Sequence, residues 1–445
     1  MRRLAAIWVG KMLGLAGRLA GKKSSAAPGA FALKICPGLI SDMNNKVSQK
    51  IIVTCGTNGK TTTNNVICSA LEAKGYTVIC NRVGANMLSG VATAYIESAD
   101  IFGRVKADFA CLEIDEAYAK IIFKYIRPDV MIITNLFRDQ LDRYGELDGT
   151  VKLIKDAIEL ANGVTLVLNA DDPVCVQFKD AENTRTLFYG VSEKVLDDED
   201  ETKEGKYCPV CGEKLSYNYQ HYSQLGDFLC PACGYKRPTP DFAITDVSLL
   251  SPMRFSINGE LIEVNYKGFY NILNLAAVYT ALKAAGESTD NFAELLKDYK
   301  PQTGRMQEFN IGKQVVLSLS KNPAGFNQAI TTVNQDERKK DIIIAINDGV
   351  GDGKDVSWLW DVAFEKLKNE KLTTLAVTGL RKYDAALRFR YEDIELDILS
   401  DDMKELILSA LNTESEVVYV MVNYTALFST EAILKELEEG YRNGN

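Results

Sequence analysis

Residues 51–63 read Ile51-Ile-Val-Thr54-Cys55-Gly56-Thr57-Asn58-Gly59-Lys60-Thr61-Thr62-Thr63, and the fold is decided here. The β-branched run Ile51–Thr54 predicts a buried strand, and Thr62 to Lys74 can form a helix. Between them lies a glycine turn ending in Lys and Thr. A strand, a glycine turn and a Lys-Thr pair opening a helix make a phosphate-binding loop. In such a loop the backbone N–H groups and helix N-terminus face an anion. Lys60 reaches the terminal phosphates, and the Thr61 hydroxyl can ligate magnesium. Thr54 stands where the general pattern has its first glycine. A glycine turn that precedes Lys-Thr by chance is the plain alternative.

From Ile51 onward strands and helices alternate, as in a parallel sheet wound with helices. Expected strands are 51–54, 77–80, 109–114, 130–134 and 165–168. Polar residues stand at their carboxyl ends, where such sheets collect chemistry. Glu113, Asp115 and Glu116 follow one strand, Asn135 another, and Asn169-Ala-Asp171-Asp172-Pro173 a third. Glu113 suits magnesium, which takes few carboxylates besides phosphate oxygens. Any one of these acids alone is equally a helix cap.

The chain has 445 residues, 46% of them apolar and 25% charged, with a net charge of −9. Two or three domains and a soluble globular class follow from length and composition. The acidic balance speaks against a general nucleic-acid binder. Ten cysteines in so long a chain do not make a secreted disulfide scaffold. Six are scattered (Cys36, Cys55, Cys68, Cys80, Cys111, Cys175), several of them in apolar runs that read as places for reduced core thiols, and a reducing cytoplasm fits best. The single histidine, His221, leaves little room for chemistry that needs an imidazole base.

The first 23 residues mix apolar residues with Arg2, Arg3, Lys11, Arg18, Lys22 and Lys23. Lys11 and Arg18 interrupt the apolar run, which is too short to span a bilayer and has no convincing cleavage site. Two readings stand: an amphipathic helix packed on the next domain, or one touching an anionic membrane at the cytoplasmic face. Residues 24–29 read as a linker. Cys208-Pro-Val-Cys211 and Cys230-Pro-Ala-Cys233, eighteen residues apart, form the spacing of a four-thiolate structural zinc ribbon. Four thiolates close the tetrahedron, so the metal folds the ribbon and does no catalysis. Redox dithiols are the alternative.

Further on, Asn271 and Asn274 share a helix face suited to reading a base edge or to capping. Arg305 follows Gly304 and can clamp phosphate. Past Phe309 the alternation restarts as a separate α/β domain. Its strand 341–346 runs into Asn347-Asp348-Gly349-Val-Gly351-Asp352-Gly353-Lys354-Asp355, beside Trp358 and Trp360. Asp355 reads as the cap of a helix starting at Val356, on a stretch that equally suits a site or docking surface. The domain plan is 1–45 (amphipathic helix and linker), 46–310 (the phosphate-loop domain, with the ribbon at about 205–237) and 311–445 (Rossmann-like α/β).

These motifs resemble the Mur ligase family of ATP-dependent amide-forming enzymes. The carrying residues are Gly56 to Thr62, Leu112-Glu113, Thr134-Asn135 with Arg138-Asp139, Asn169 to Asp172, Asn271 with Asn274, and Gly304-Arg305. The resemblance implies ATP phosphates on Gly56, Thr57, Asn58, Gly59, Lys60, Thr61 and Thr62, and magnesium on Thr61 and Glu113. It puts adenine near Asn271 and Asn274, and Arg305 on the phosphates. Two departures stand out. Gln140 occupies a position where family ligases commonly have histidine, and Ser320-Lys321-Asn322-Pro323 replaces the usual Asp-x-x-His-Asn-Pro loop.

The four cysteines, Asp352 to Trp358 and Thr378-Gly379-Leu380-Arg381 resemble the amidating branch of this family. That resemblance implies amidation of the α-carboxylate of D-glutamate in the lipid II stem peptide, through an acyl phosphate. The ammonia would come from a GatD-type glutamine amidotransferase in a heterodimer. There the Asp matching Asp355 is implicated beside the partner's Cys–His pair, which makes Asp355 a candidate catalytic residue. Residue chemistry agrees on one point: a glutaminase needs an activated Cys with a His, and this chain's only His sits in the ribbon. Two other readings are a stand-alone Mur-type or folylpolyglutamate-type amino-acid ligase, and an ATP-binding scaffold whose ribbon grips nucleic acid.

Overall fold

The computed structural model describes residues 2–19, 25–82, 84–137, 147–196, 206–250, 252–297, 304–349 and 351–444. The chain divides into two compact units, one formed mainly by residues up to Tyr299 and one mainly by Lys300–Asn445.

The first unit opens with helices α1 (Arg2–Leu19), α2 (Ala27–Ile35) and α3 (Leu39–Asn44). The stretch read as a linker thus becomes helical at Ala27, because Pro28 stands in the first turn, where its missing N–H costs no bond. Then follow β1 (Val47–Cys55), α4 (Lys60–Ala73), β2 (Val78–Cys80), α5 (Leu88–Ser98), β3 (Ala107–Glu113) and α6 (Glu116–Ile122). Next come β4 (Val130–Ile133), α7 (Leu147–Ala161), β5 (Thr165–Asn169), α8 (Pro173–Val176) and β6 (Arg185–Val191). The ribbon hairpin is β7 (Ser216–Tyr222) and β8 (Leu225–Leu229). Strands β9 (Phe242–Ser248), β10 (Met253–Ile257) and β11 (Glu260–Val264) precede α9 (Tyr270–Ala285) and α10 (Phe292–Leu295).

Nine strands form one sheet in the order β11-β10-β9-β6-β5-β4-β1-β3-β2. It is parallel from β2 through β9, and antiparallel where β10 and β11 extend it. The chain winds from β1 outward to β2 and back to β3, then crosses to β4, so β1 lies where the winding reverses. Loops at the carboxyl ends of such strands form the binding crevice. Alternation along β1 sends Ile51, Val53 and Cys55 into one core with Tyr95, Ile122 and Ile154. Ile52 is buried on the opposite face. Cys68 of α4 and Cys80 of β2 are joined as a disulfide, contrary to the reduced thiols expected, because α4 packs directly against β2. Cys36, Cys55, Cys111 and Cys175 are free.

The second unit has a six-stranded sheet: β12 (Gln307–Asn310), β13 (Gln314–Leu319), β14 (Lys340–Ala345), β15 (Leu372–Thr378), β16 (Ile398–Leu399) and β17 (Val417–Val422). Their order is β12-β13-β17-β14-β15-β16, parallel except for β12. Around it lie α11 (Pro323–Asn334), α12 (Lys382–Tyr391), α13 (Met403–Leu411) and α14 (Tyr424–Gly444). No described helix is long and apolar enough to cross a membrane.

Candidate active site

The phosphate loop joins β1 to α4, and two glycines give it its shape. Gly56 has φ +122°, and a Cβ there would stand 2.2 Å from Thr134 Oγ1. Gly59 has φ +83°, and its Cβ would stand 2.1 Å from Asn274 Oδ1. Only glycine fits either position. The segment after β4 straps the loop in place. Thr57 N–H donates to Asn135 C=O (2.8 Å), Asn58 N–H to Asn135 Oδ1 (2.9 Å), and the Thr134 hydroxyl to Asn58 C=O (2.7 Å). Phe137 N–H donates to Thr57 Oγ1 (2.9 Å). Gly56 N–H donates to Glu116 Oε1 (2.7 Å). The first three N–H groups of the loop are therefore spent on protein partners. The donors left at its mouth are those of Gly59 and of the first helical turn, Lys60 to Thr62.

Lys60 pairs with Glu116 at 2.9 Å, both side chains nearly buried, and also donates to the carbonyl of Gly56. Burial pulls the Lys60 ammonium toward a lower pKa, but the carboxylates of Glu116, Glu113 and Asp115 outweigh it and hold the pKa above its ordinary value. Lys60 is a fixed positive charge on the loop. Glu116→Gln is expected to lower stability by about 3–5 kcal/mol, because it leaves the Lys60 charge buried without its partner. Denaturant unfolding checks this, and an unchanged midpoint would deny the pair any structural role.

The parallel register sets Thr54 of β1 beside Glu113, the last residue of β3. Glu113 is tied down by two asparagines that sequence reasoning missed. Asn81 bonds its backbone on both sides (2.7 and 2.9 Å), and Asn86 Nδ2 donates to its Oε1 (3.2 Å). Their signal was available, since both sit in the turn after the carboxyl end of β2. A Cβ on Gly84 would lie 3.6 Å from Thr61 Oγ1 and 3.7 and 3.9 Å from the Glu113 oxygens. A hydroxyl and a carboxylate thus converge on one point at the mouth of the loop. Hard oxygen donors of this kind fit magnesium.

Asn274 packs against Gly59 from α9 and accepts no closer approach. Its Nδ2 donates to Asn271 Oδ1 (3.3 Å), one turn earlier, and Asn271 is half-buried. The two asparagines do share a face, and the structure brings that face to the phosphate loop itself. Arg305 belongs to the second unit, half-buried after Gly304. Arg138, Asp139 and Gln140 lie outside the described residues.

The ribbon is anchored on the Asn169–Pro173 turn. Arg237 pairs with buried Asp171 at 2.7 Å, Gly226 N–H donates to Asp171 C=O (2.9 Å), and the Tyr235 hydroxyl to Pro173 C=O (2.6 Å). Gln224 Nε2, another residue missed from sequence, donates to Leu136 C=O (2.7 Å) and Asp172 Oδ1 (3.2 Å). Asp172 in turn accepts from Leu136 N–H (2.8 Å), so the ribbon grips the same 134–137 segment that straps the phosphate loop. Burial pushes the Asp172 carboxyl above its ordinary pKa, against the opposing hydrogen bonds from Leu136 and Val174.

The two knuckles repeat one geometry. Cys208 N–H donates to Glu213 C=O and Cys230 N–H to Tyr235 C=O, both at 2.7 Å, with Gly212 and Gly234 at φ +78° and +74°. The sulfurs of Cys208, Cys211, Cys230 and Cys233 all lie within 4.8 Å of one another. Four thiols that close together are the donor set of a tetrahedral zinc ion. Cys211→Ser is expected to abolish zinc retention and to lower the melting temperature of the zinc-loaded chain by about 10 °C. Elemental analysis and a thermal scan check this, and full metal retention would refute the ligand set. His221 is buried in β7 against the Tyr219 ring (5.2 Å), and burial lowers its pKa. It is a core residue.

In the second unit, the turn after β14 is held from several sides. Lys354 and Arg381 both face Asp348, at 3.5 and 3.6 Å. Buried Asp352 accepts from Thr425 N–H (3.1 Å) and from the Thr425 hydroxyl. Asp355 is half-buried, and its Oδ1 accepts from Ser357 N–H (2.8 Å). The expected helix at Val356 is instead one 3-10 turn, Ser357–Asp361, with Val356 as its cap residue. Asp355 stands one position before that cap and closes the turn by an Asx bond. Tyr383, Leu387 and Tyr391 form an exposed stripe along α12, preceded by exposed Leu380, and Trp360 packs edge-on against Tyr391 (5.1 Å).

Known proteins resemble this chain along its whole length. Residues 53–224 match the Mur ligase middle domain, and residues 319–427 match the MurT ligase C-terminal domain. The lipid II isoglutaminyl synthase (glutamine-hydrolyzing) subunit MurT of Staphylococcus aureus (strain COL) is 34% identical over 447 residues, 100% of both chains. Among solved structures, a pseudomurein peptide ligase type C from Methanothermus fervidus matches with TM-score 0.70 at 22% identity. That match covers 89% of this chain and 80% of the other. MurF ligase from Thermotoga maritima, in complex with ADP, matches with TM-score 0.65 at 16% identity, covering 93% and 85%.

Proposed function

Because this chain belongs to the Mur ligase family, and within it to the MurT subunits, we propose that it is the ligase subunit of a glutamine-dependent amidating enzyme. Its substrate would be the α-carboxylate of D-glutamate in the lipid II stem peptide, and its product D-isoglutamine. ATP would transfer its γ-phosphoryl group to a carboxylate oxygen, releasing ADP. Ammonia would then attack the acyl carbon, expelling phosphate and losing a proton.

The observation that carries this reading is a pairing. A fixed cation, a helix N-terminus and a Thr61–Glu113 oxygen pair meet at one loop, while the chain's only histidine is buried in the ribbon. The first set suits phosphoryl transfer, where positioning and charge stabilisation do most of the work. The second leaves this chain without the exposed imidazole of a Cys–His glutaminase, which supports glutamine hydrolysis on another chain. Lys60 would neutralise the terminal phosphates, exchanging the Gly56 carbonyl for phosphate oxygens. Thr61 and Glu113 would hold magnesium, which offsets charge on the transferred group. Asn271 would read the adenine edge, and Asn274 would set the loop. Zinc on the four cysteines would keep the ribbon folded and its grip on residues 134–137 intact.

The ammonia would come from a GatD-type amidotransferase subunit. The exposed stripe on α12, with Trp360 and the Asp348–Asp355 turn, offers it an apolar face rimmed by charge. Asp355 would orient and stabilise the partner's catalytic imidazole. A lipid-linked substrate and ATP meet at the cytoplasmic face of the membrane, which is where we place the chain.

The test uses the zinc-loaded chain with ATP, magnesium and lipid-linked stem peptide. Ammonium salt should yield amidated product, as should glutamine once the amidotransferase is added. Turnover with a free amino acid, and none with ammonia, would overturn the reading in favour of an amino-acid ligase.

A further inference from the structure

Helix α1 has two apolar faces, and among the described residues one is buried and the other exposed. Ala6, Ile7, Gly10 and Gly14 are buried where α1 packs on α2 and α5. The approach is close, since a Cβ on Gly10 would stand 2.9 Å from Ile96. On the other side Trp8, Met12, Leu15 and Leu19 are 52%, 62%, 56% and 82% exposed. At about 100° per residue these four fall within an arc of roughly 60°. The patch continues onto a neighbouring turn, where Ile101 and Phe102 are 65% and 64% exposed. The Trp8 indole N–H donates to Ile101 C=O (2.7 Å), which joins helix and turn into one surface.

Charge identifies what this surface fits. Arg2, Arg3, Lys11 and Arg18 lie on α1, and the helix has no acidic residue, in a chain of net charge −9. Asp100, on the adjoining turn, is tied to Arg104 at 2.7 Å. We propose that this face of α1, with Ile101 and Phe102, is a docking surface for an anionic lipid bilayer. The four apolar side chains enter the headgroup boundary, with Trp8 at the level where indoles settle, and the basic residues meet lipid phosphates. Lys11 and Arg18 interrupt the apolar sequence, so the helix lies on the bilayer and does not cross it. A second copy of the chain is a poor occupant, because it would set one basic helix against another. The inference does not depend on the amidation reading, for it concerns another surface and needs no substrate.

Vesicle co-sedimentation of the full zinc-loaded chain tests it. Vesicles of phosphatidylglycerol and phosphatidylcholine should bind the chain at least about 10-fold better than phosphatidylcholine alone, and added salt should weaken that binding. Met12→Glu with Leu15→Glu should lower binding by about 10-fold or more, since both carboxylates would enter the apolar boundary. Because both positions are exposed, melting temperature and metal content should stay as in the parent chain. Binding that is equal on both vesicle types, or equal for parent and variant, would overturn the proposal. So would self-association of the parent that the double variant abolishes, which would mean that a second copy covers this face.

Discussion

Lys60→Ala is expected to remove ATP-dependent amidation by about 10³-fold or more, and added ammonia should not rescue it. The ammonium is the positive charge nearest the loop carbonyls, and its pairing with Glu116 holds it there at 2.9 Å. Alanine removes the group that would neutralise the transferring phosphate, so the acyl phosphate does not form whatever the nitrogen source. It also leaves the buried Glu116 carboxylate without its counter-charge, which is expected to destabilise the chain by about 3–5 kcal/mol. Lys60→Ala combined with Glu116→Gln separates the two effects. The pair should recover melting temperature while staying inactive with ammonium chloride, read as amidated product by mass spectrometry. Activity that returns with stability would deny Lys60 a role in phosphoryl transfer.

Asp355→Asn should split the two nitrogen sources. Glutamine-dependent amidation, measured with the amidotransferase present, is expected to fall by about 10²–10⁴-fold, the range for losing the carboxylate of a triad. Ammonia-dependent amidation should stay within about two-fold of the parent, because free ammonia bypasses the imidazole chemistry. The substitution is gentle on the fold. An asparagine Oδ1 can still accept the Ser357 N–H that Asp355 accepts at 2.8 Å, so the 3-10 turn keeps its start. Equal loss with both nitrogen sources would move Asp355 into the ligase step or into folding alone.

Much of the site is legible in the amino-acid sequence, for reasons that are local. Gly56, Gly59, Lys60 and Thr61 announce themselves because a phosphate loop is built from consecutive residues with unusual backbone needs. The four cysteines do so because each knuckle closes within a few residues, Cys208 N–H on Glu213 and Cys230 N–H on Tyr235. Strand β1 is legible too, though it runs from Val47 and not only from Ile51. Gln224 is not, because it acts on a partner distant in sequence. Gln224 reaches Leu136 across 88 positions, and nothing near either residue marks the pairing. The disulfide between Cys68 and Cys80 is hidden likewise, since it depends on how α4 lies against β2.

Residue type, spacing and side-chain period are enough for the alternation of strands and helices, the phosphate loop, the thiolate ribbon and the shortage of histidine. Adjacent residues establish these among themselves. How the loop's donors are shared is a matter of long-range packing, with Gly56, Thr57 and Asn58 committed to Glu116 and Asn135, and with Gly59 and the first turn of α4 left at its mouth. Packing also makes the ribbon grip residues 134–137, and makes α1 bury its small residues while leaving Trp8, Met12, Leu15 and Leu19 outside. The physical reason is the same throughout. A buried polar group takes whatever partner the packing brings to it, and an amphipathic helix turns inward the face that lets it approach closest.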